Sequence, residues 1–190
     1  MNADTPLTYA AYAPLALRTA KPLPTPLADL GHAALGLITE LGELATIVKR
    51  IVIYGRELTP EMTRHAEEEI GDIAWYVPLA MRAACMQVWH GRFMHTGSLD
   101  AAVRRVAVLV GDVADAAKEP LRPLTPNRVA MACGEIIFLL QHDISPRLGV
   151  DFGRALGHNI NKLRARYPAA YSDLAAEARA DKGGADARSS

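Results

Sequence analysis

The chain is short of several things, and each shortage excludes something. Only two cysteines occur in 190 residues, Cys85 and Cys133. They stand alone in apolar surroundings, nothing demands a disulfide between them, and both are expected to be buried, reduced thiols of a cytoplasmic protein. No apolar run approaches the ~18–20 residues that a membrane span requires. The N-terminus has no basic region followed by an apolar core, so no secretory signal is visible. There is no excess charge, because 21 Lys+Arg balance 21 Asp+Glu. That argues against a chain that holds a nucleic-acid polymer by bulk electrostatics. Alternation at period two is missing over any useful length, so no strand is expected.

Apolar helical pattern is what the chain has. Half of its residues are hydrophobic and 22% are charged, enough for one compact domain or two small halves packed as one. Residues 1–26 are rich in Pro, Thr and Ala and read as an arm with a short helix around Tyr9–Leu17. Leu30, Ala34, Leu37, Leu41, Leu44, Val48 and Ile51 then form one helical stripe, which Gly55 is expected to end. A second long helix opens at Thr59-Pro60, an N-cap followed by proline. Its stripe is Ala66, Ile70, Ile73, Val77, Ala80 and Ala84, and Pro78 is expected to kink or loosen it. Further helices are expected over Leu99–Ala117, from Thr125-Pro126 to Gln141, and over Phe152–Tyr167. The fold class is therefore all-α, a helical bundle.

Two acidic pairs stand out. Glu40 and Glu43 lie three apart on the first long helix, and Glu69 and Asp72 three apart on the second. Each acid immediately precedes a core position, so both pairs flank the apolar stripe on the same side. If the helices pack antiparallel through those stripes, four carboxylates converge. Like charges so placed repel, and one is forced to protonate unless a cation intervenes. An all-oxygen site suits Mg²⁺ or Mn²⁺. A di-iron carboxylate bundle would require Glu-x-x-His, and no Glu here has His three residues later. Taken singly, either pair reads as surface acids on an amphipathic helix.

The strings ALGLITELGELATIVKR, EEEIGDIAWYV and NINKLRARYP resemble the MazG-like, all-α nucleoside triphosphate pyrophosphohydrolases, with Gly42 and Gly71 in place. Leu17-Arg18-Thr19-Ala20 resembles the N-terminal arm of short members, and the likeness spans about two fifths of the chain. It implies hydrolysis of a nucleoside or deoxynucleoside triphosphate to the monophosphate and pyrophosphate. By position it makes Glu40, Glu43, Glu69 and Asp72 both the metal ligands and the catalytic carboxylates, with two or more Mg²⁺ (or Mn²⁺) ions when substrate is bound. One of them, Glu43 for instance, would serve as the base for water. Attack at the α- or the β-phosphorus stays open.

A triphosphate also calls for positive charge from the protein. Lys49 lies two turns past Glu43, and Asn159, Lys162 and Arg166 share a face of the last helix. The family resemblance makes the Asn and Lys phosphate ligands. Arg164 and Arg166 also suit a solvated helix C-terminus. Tyr167 and Trp75 suit stacking on a base or packing, with packing expected for Trp75. His32 reads as a core or edge histidine.

About seventy residues separate the second acidic helix from the Asn-x-x-Lys helix, where short relatives have almost none. These residues resemble the first half. Gly42-Glu43-Leu44-Ala45 matches Gly111-Asp112-Val113-Ala114, Arg56-Glu57-Leu58-Thr59-Pro60 matches Arg122-Pro123-Leu124-Thr125-Pro126, and Gly71-Asp72-Ile73 matches Gly134-Glu135-Ile136. A degenerate tandem repeat of a two-helix unit is expected, its second copy inactive because Leu109 and Ala132 replace two acids and only Asp112 and Glu135 remain.

The organisation expected is an arm (1–26), a catalytic two-helix unit (27–90), a linker (91–98), the degenerate unit (99–150), a substrate-binding helix on the same domain (151–177) and a mobile tail (178–190). The resemblance favours a purine deoxynucleotide such as dGTP or dATP. The alternatives are a dUTPase-like pyrimidine nucleotide hydrolase, or a non-catalytic helical regulator or nucleotide sensor. The expected partners are the nucleotide and further copies of the chain, with no nucleic-acid polymer and no membrane, in the cytoplasm of a bacterium or of a phage's host.

Overall fold

The computed structural model of the chain describes residues 6–86, 91–118, 125–167 and 171–172. The tail expected over 178–190 lies outside them. Among the described residues the fold is all-helical, with no strand. The elements are α1 (Tyr9–Leu17), α2 (Pro26–Val52), α3 (Pro60–Ala83), α4 (Leu99–Ala116), α5 (Thr125–Leu139), a π-helical turn (Leu140–Ile144), α6 (Ser145–Arg147) and α7 (Phe152–Arg166). No described helix is long and apolar enough to cross a membrane.

The helix starts follow from local chemistry. Thr8, Thr25, Thr59, Ser98 and Asp151 each cap a helix, their side-chain oxygen accepting the amide three residues on. Pro26 and Pro60 occupy first-turn positions where no amide donor is required. After α2, Gly55 takes φ +62° and reverses the chain towards α3. The two long helices run antiparallel, and Arg82 near the end of α3 meets Asp29 near the start of α2 at 3.0 Å.

The predicted stripes are the core. Leu30, Leu37, Leu44, Ile70 and Ile73 are fully buried, and each such side chain contributes ~1.5–3 kcal/mol. Helix α2 packs on α3 and α4, α4 on α5, and α3 on α5 and α7. Two helical hairpins thus share one core, and α1 and α7 cover α3.

Helix α3 continues through Pro78. Proline has no amide hydrogen for the Ala74 carbonyl four residues back, and the Tyr9 hydroxyl donates to that carbonyl instead at 3.4 Å. The expected helix to Gln141 ends at Leu139, and the widened π-turn that follows carries Asp143 into the interior. The burial expected for both cysteines holds only for Cys133. Cys85 is exposed, because α3 has already ended and the chain turns there at φ +54°.

Candidate metal centre

Each acid pair lies on one helix face, and the α2–α3 packing sets the faces against each other. Carboxylate oxygens of Glu40, Glu69 and Asp72 come within 4.8 Å of one another. All three residues are half-buried, whereas Glu43 is exposed at the rim. Glu43 still acts on the cluster, because its charge is a main cause, after burial, of the high pKa of Glu69.

Crowding three acids has an electrostatic cost. Burial, then the charges of Glu43, Glu40 and Asp72, push Glu69 up to about 8. Glu40 is also raised, by burial first and then by Asp72 and Glu43, with hydrogen bonds from Glu69 and Thr39 opposing. Near neutral pH Glu69 therefore keeps a proton and shares it with Glu40. A hard dication would displace that proton, and the donor set, three half-buried carboxylates, fits Mg²⁺ or Mn²⁺.

Asp72 is held differently. Asn159 Nδ2 donates to its Oδ1 at 2.6 Å, and Lys162 Nζ lies 2.5 Å from both of its oxygens. The Tyr12 hydroxyl donates to Asn159 Oδ1 at 2.7 Å, which fixes the amide so that its nitrogen faces Asp72. Tyr12 is fully buried. A Cβ at Gly71 would stand 3.0 Å from the Asn159 Cβ, so glycine there lets α7 approach α3 and deliver Asn159 and Lys162. His158 on α7 meets Glu67 on α3 at 3.1 Å.

A ring cluster adjoins the acids. Tyr76 packs edge-on against Trp75, with ring centroids 4.7 Å apart, and against His32 at 5.7 Å. Its pKa rises to about 12 through burial, then through Glu40 and Asp72. A Cβ at Gly36 would lie 2.1 Å from its ring, so only glycine admits Tyr76 there. Trp75 packs as expected, its indole N–H donating to Thr19 Oγ1 at 3.0 Å and to the Ala16 carbonyl at 3.2 Å. His32 stands at the edge of the core, its Nδ1 buried and without a hydrogen-bond partner among the described residues.

Of the other expected ligands, Lys49 lies away from the acids. Lys49 is exposed, and nine residues past Glu40 it stands about half a turn round α2 from that acid. Tyr167 is buried against Tyr171, ring centroids 5.4 Å apart, and the Arg166 guanidinium lies 5.9 Å from its ring centre. Tyr167 therefore offers no open face for a base. Arg166 is near enough to Tyr76 to oppose the rise in its pKa.

Sequence reasoning missed Tyr12, Gly36 and Tyr76. Tyr9 and Tyr12, three apart in an Ala-rich arm, were a legible sign of a docked helix. Nothing local to Gly36 announced its partner, which lies forty residues on.

In the second hairpin, Arg105 makes a two-pronged contact with Glu135 at 2.6 and 2.8 Å, and Arg128 meets Asp112 at 2.5 Å. Leu109 and Ala132, at the positions matching Glu40 and Glu69, are buried. Both remaining acids thus already have guanidinium partners.

No protein-family model matches the chain, and no curated protein or solved structure matches it.

Proposed function

We propose that the chain hydrolyses a nucleoside or deoxynucleoside triphosphate, with Mg²⁺ or Mn²⁺, to the monophosphate and pyrophosphate, as its resemblance to MazG-like enzymes implies. The observation that carries this reading is the convergence of Glu40, Glu69 and Asp72 within 4.8 Å. These three would hold the metal, with Glu43 completing the site from the rim. Bound ions would supply charge for the phosphoryl oxygens and lower the pKa of water.

The chain's own residues have distinct tasks. Asn159, fixed by Tyr12, orients Asp72. Lys162 supplies the ammonium that balances Asp72 and would turn to phosphate oxygens when substrate binds. Glu43, exposed and next to the cluster, suits the base that takes a proton from water. The Arg105–Glu135 and Arg128–Asp112 pairs occupy the second hairpin's acids, which supports one site per chain. A purine deoxynucleotide is the proposed substrate and a homo-oligomer the proposed assembly.

Incubation with each NTP and dNTP plus Mg²⁺ or Mn²⁺, followed by pyrophosphate detection, tests the reading. Pyrophosphate should form, and Glu69→Gln should abolish it without loss of helicity. Retained activity in Glu69→Gln, or no pyrophosphate from any nucleotide, defeats it.

One observation favours the non-catalytic alternative. Lys162 already gives Asp72 a counter-charge from within the chain. A nucleotide that raises Tm without being hydrolysed would establish that alternative.

A further inference from the structure

We propose that His95 and His142 form a second metal site, one that takes an imidazole-preferring divalent ion such as Zn²⁺ rather than Mg²⁺. It lies outside the carboxylate cluster, where the segment before α4 meets the π-turn after α5.

Asp143 is the foundation. It is 1% exposed, yet it accepts four bonds. Thr96 donates its amide at 2.7 Å and its hydroxyl at 3.0 Å to one oxygen, and His95 Nδ1 at 2.9 Å and Arg147 Nη1 at 3.1 Å serve the other. Burial alone would raise its pKa, but these donors together hold it well below the usual carboxylate range. An ionised carboxylate only accepts, so the hydrogen must sit on His95 Nδ1. The lone pair of the neutral ring is then on Nε2. The ring is fixed by its bond to a buried carboxylate, the arrangement that orients and strengthens metal-binding histidines.

The second imidazole is adjacent. His95 and His142 both lean on the Phe138 ring, with centroids 5.0 and 4.9 Å away, and their own centroids are 6.2 Å apart. With metal–nitrogen bonds of ~2.1 Å, two imidazoles at a tetrahedral angle on one ion stand with centroids ~5 Å apart, so these exposed rings need to close by about 1 Å to share it. Both residues are exposed, so water can fill the remaining positions. The π-turn makes this possible, because it sends Asp143 inward while its neighbour His142 faces out; such turns often serve sites. Two neutral nitrogens suit Zn²⁺, Ni²⁺ or Cu²⁺ and leave Mg²⁺ to the carboxylates. An ion there would staple the connection between the two hairpins to the end of α5.

The test is calorimetric titration of the tag-free full chain with Zn²⁺ under excess Mg²⁺, alongside a thermal melt. The expected result is one Zn²⁺ per chain and a raised Tm. Glu69→Gln should keep both, and His142→Ala should weaken binding at least tenfold. His95→Asn is the second variant, since its amide can still donate to Asp143 while Nε2 is gone, and it should weaken binding equally. Zn²⁺ binding unchanged by either histidine variant, or abolished by Glu69→Gln, overturns the proposal.

Discussion

Adding Mg²⁺ to the chain should release a proton, and the amount follows from the acid cluster. With Glu69 titrating at about 8, it is about 90% protonated at pH 7. A cation held by Glu40, Glu69 and Asp72 takes the place of that proton, so about 0.9 proton should leave per binding event at pH 7, and close to none at pH 9. The apparent affinity should rise about tenfold per pH unit below pH 8 and level off above it. Calorimetry at pH 7 in two buffers of different ionisation enthalpy reads the proton count directly. Glu69→Gln removes the titrating group, and its affinity should lose this slope. Magnesium binding that releases no proton at pH 6–7, with an affinity flat from pH 6 to 8, would refute the electrostatic account of the site.

The remaining predictions concern stability and the supporting shell. Without metal, folded Glu69 keeps a proton that the unfolded chain loses above its ordinary value of 4.5. That contribution is whole below 4.5 and is lost as pH rises through 8, a fall of about 1–2 kcal/mol once solvent screening of a half-exposed group is allowed for, readable by urea melts across this range. Gly36→Ala should cost about 1–3 kcal/mol in the same melts, because its Cβ meets the Tyr76 ring. Tyr12→Phe should cost about 1–2 kcal/mol, as it leaves Asn159 Oδ1 buried without its donor. Lys162→Met should bind Mg²⁺ alone more tightly, by about threefold or more, since its ammonium no longer competes for Asp72, while pyrophosphate release falls. Tighter ion binding with unchanged turnover would remove Lys162 from the proposed phosphate contacts.

What the sequence determined by itself was local. Thr-Pro at helix starts, apolar residues at steps of three and four, and acids one place before the core are readable because neighbours along a helix are neighbours in space. From these alone came the helices, the hairpin of α2 and α3, and an expected meeting of Glu40, Glu43, Glu69 and Asp72, of which Glu43 stands exposed outside the group of three.

Only the tertiary structure decided which charge meets which carboxylate. Lys162 and Asn159, read as phosphate ligands, lie on Asp72 because α7 docks on α3 at Gly71. Arg105 and Arg128 close the second hairpin's acids because α4 and α5 are rotated to bring them there. Tyr12, Tyr76 and the Asp143 clasp join residues tens of positions apart. Helical spacing fixes a side chain's face on its own helix, but the partner of that face is set by how helices dock, and docking is a property of the whole core.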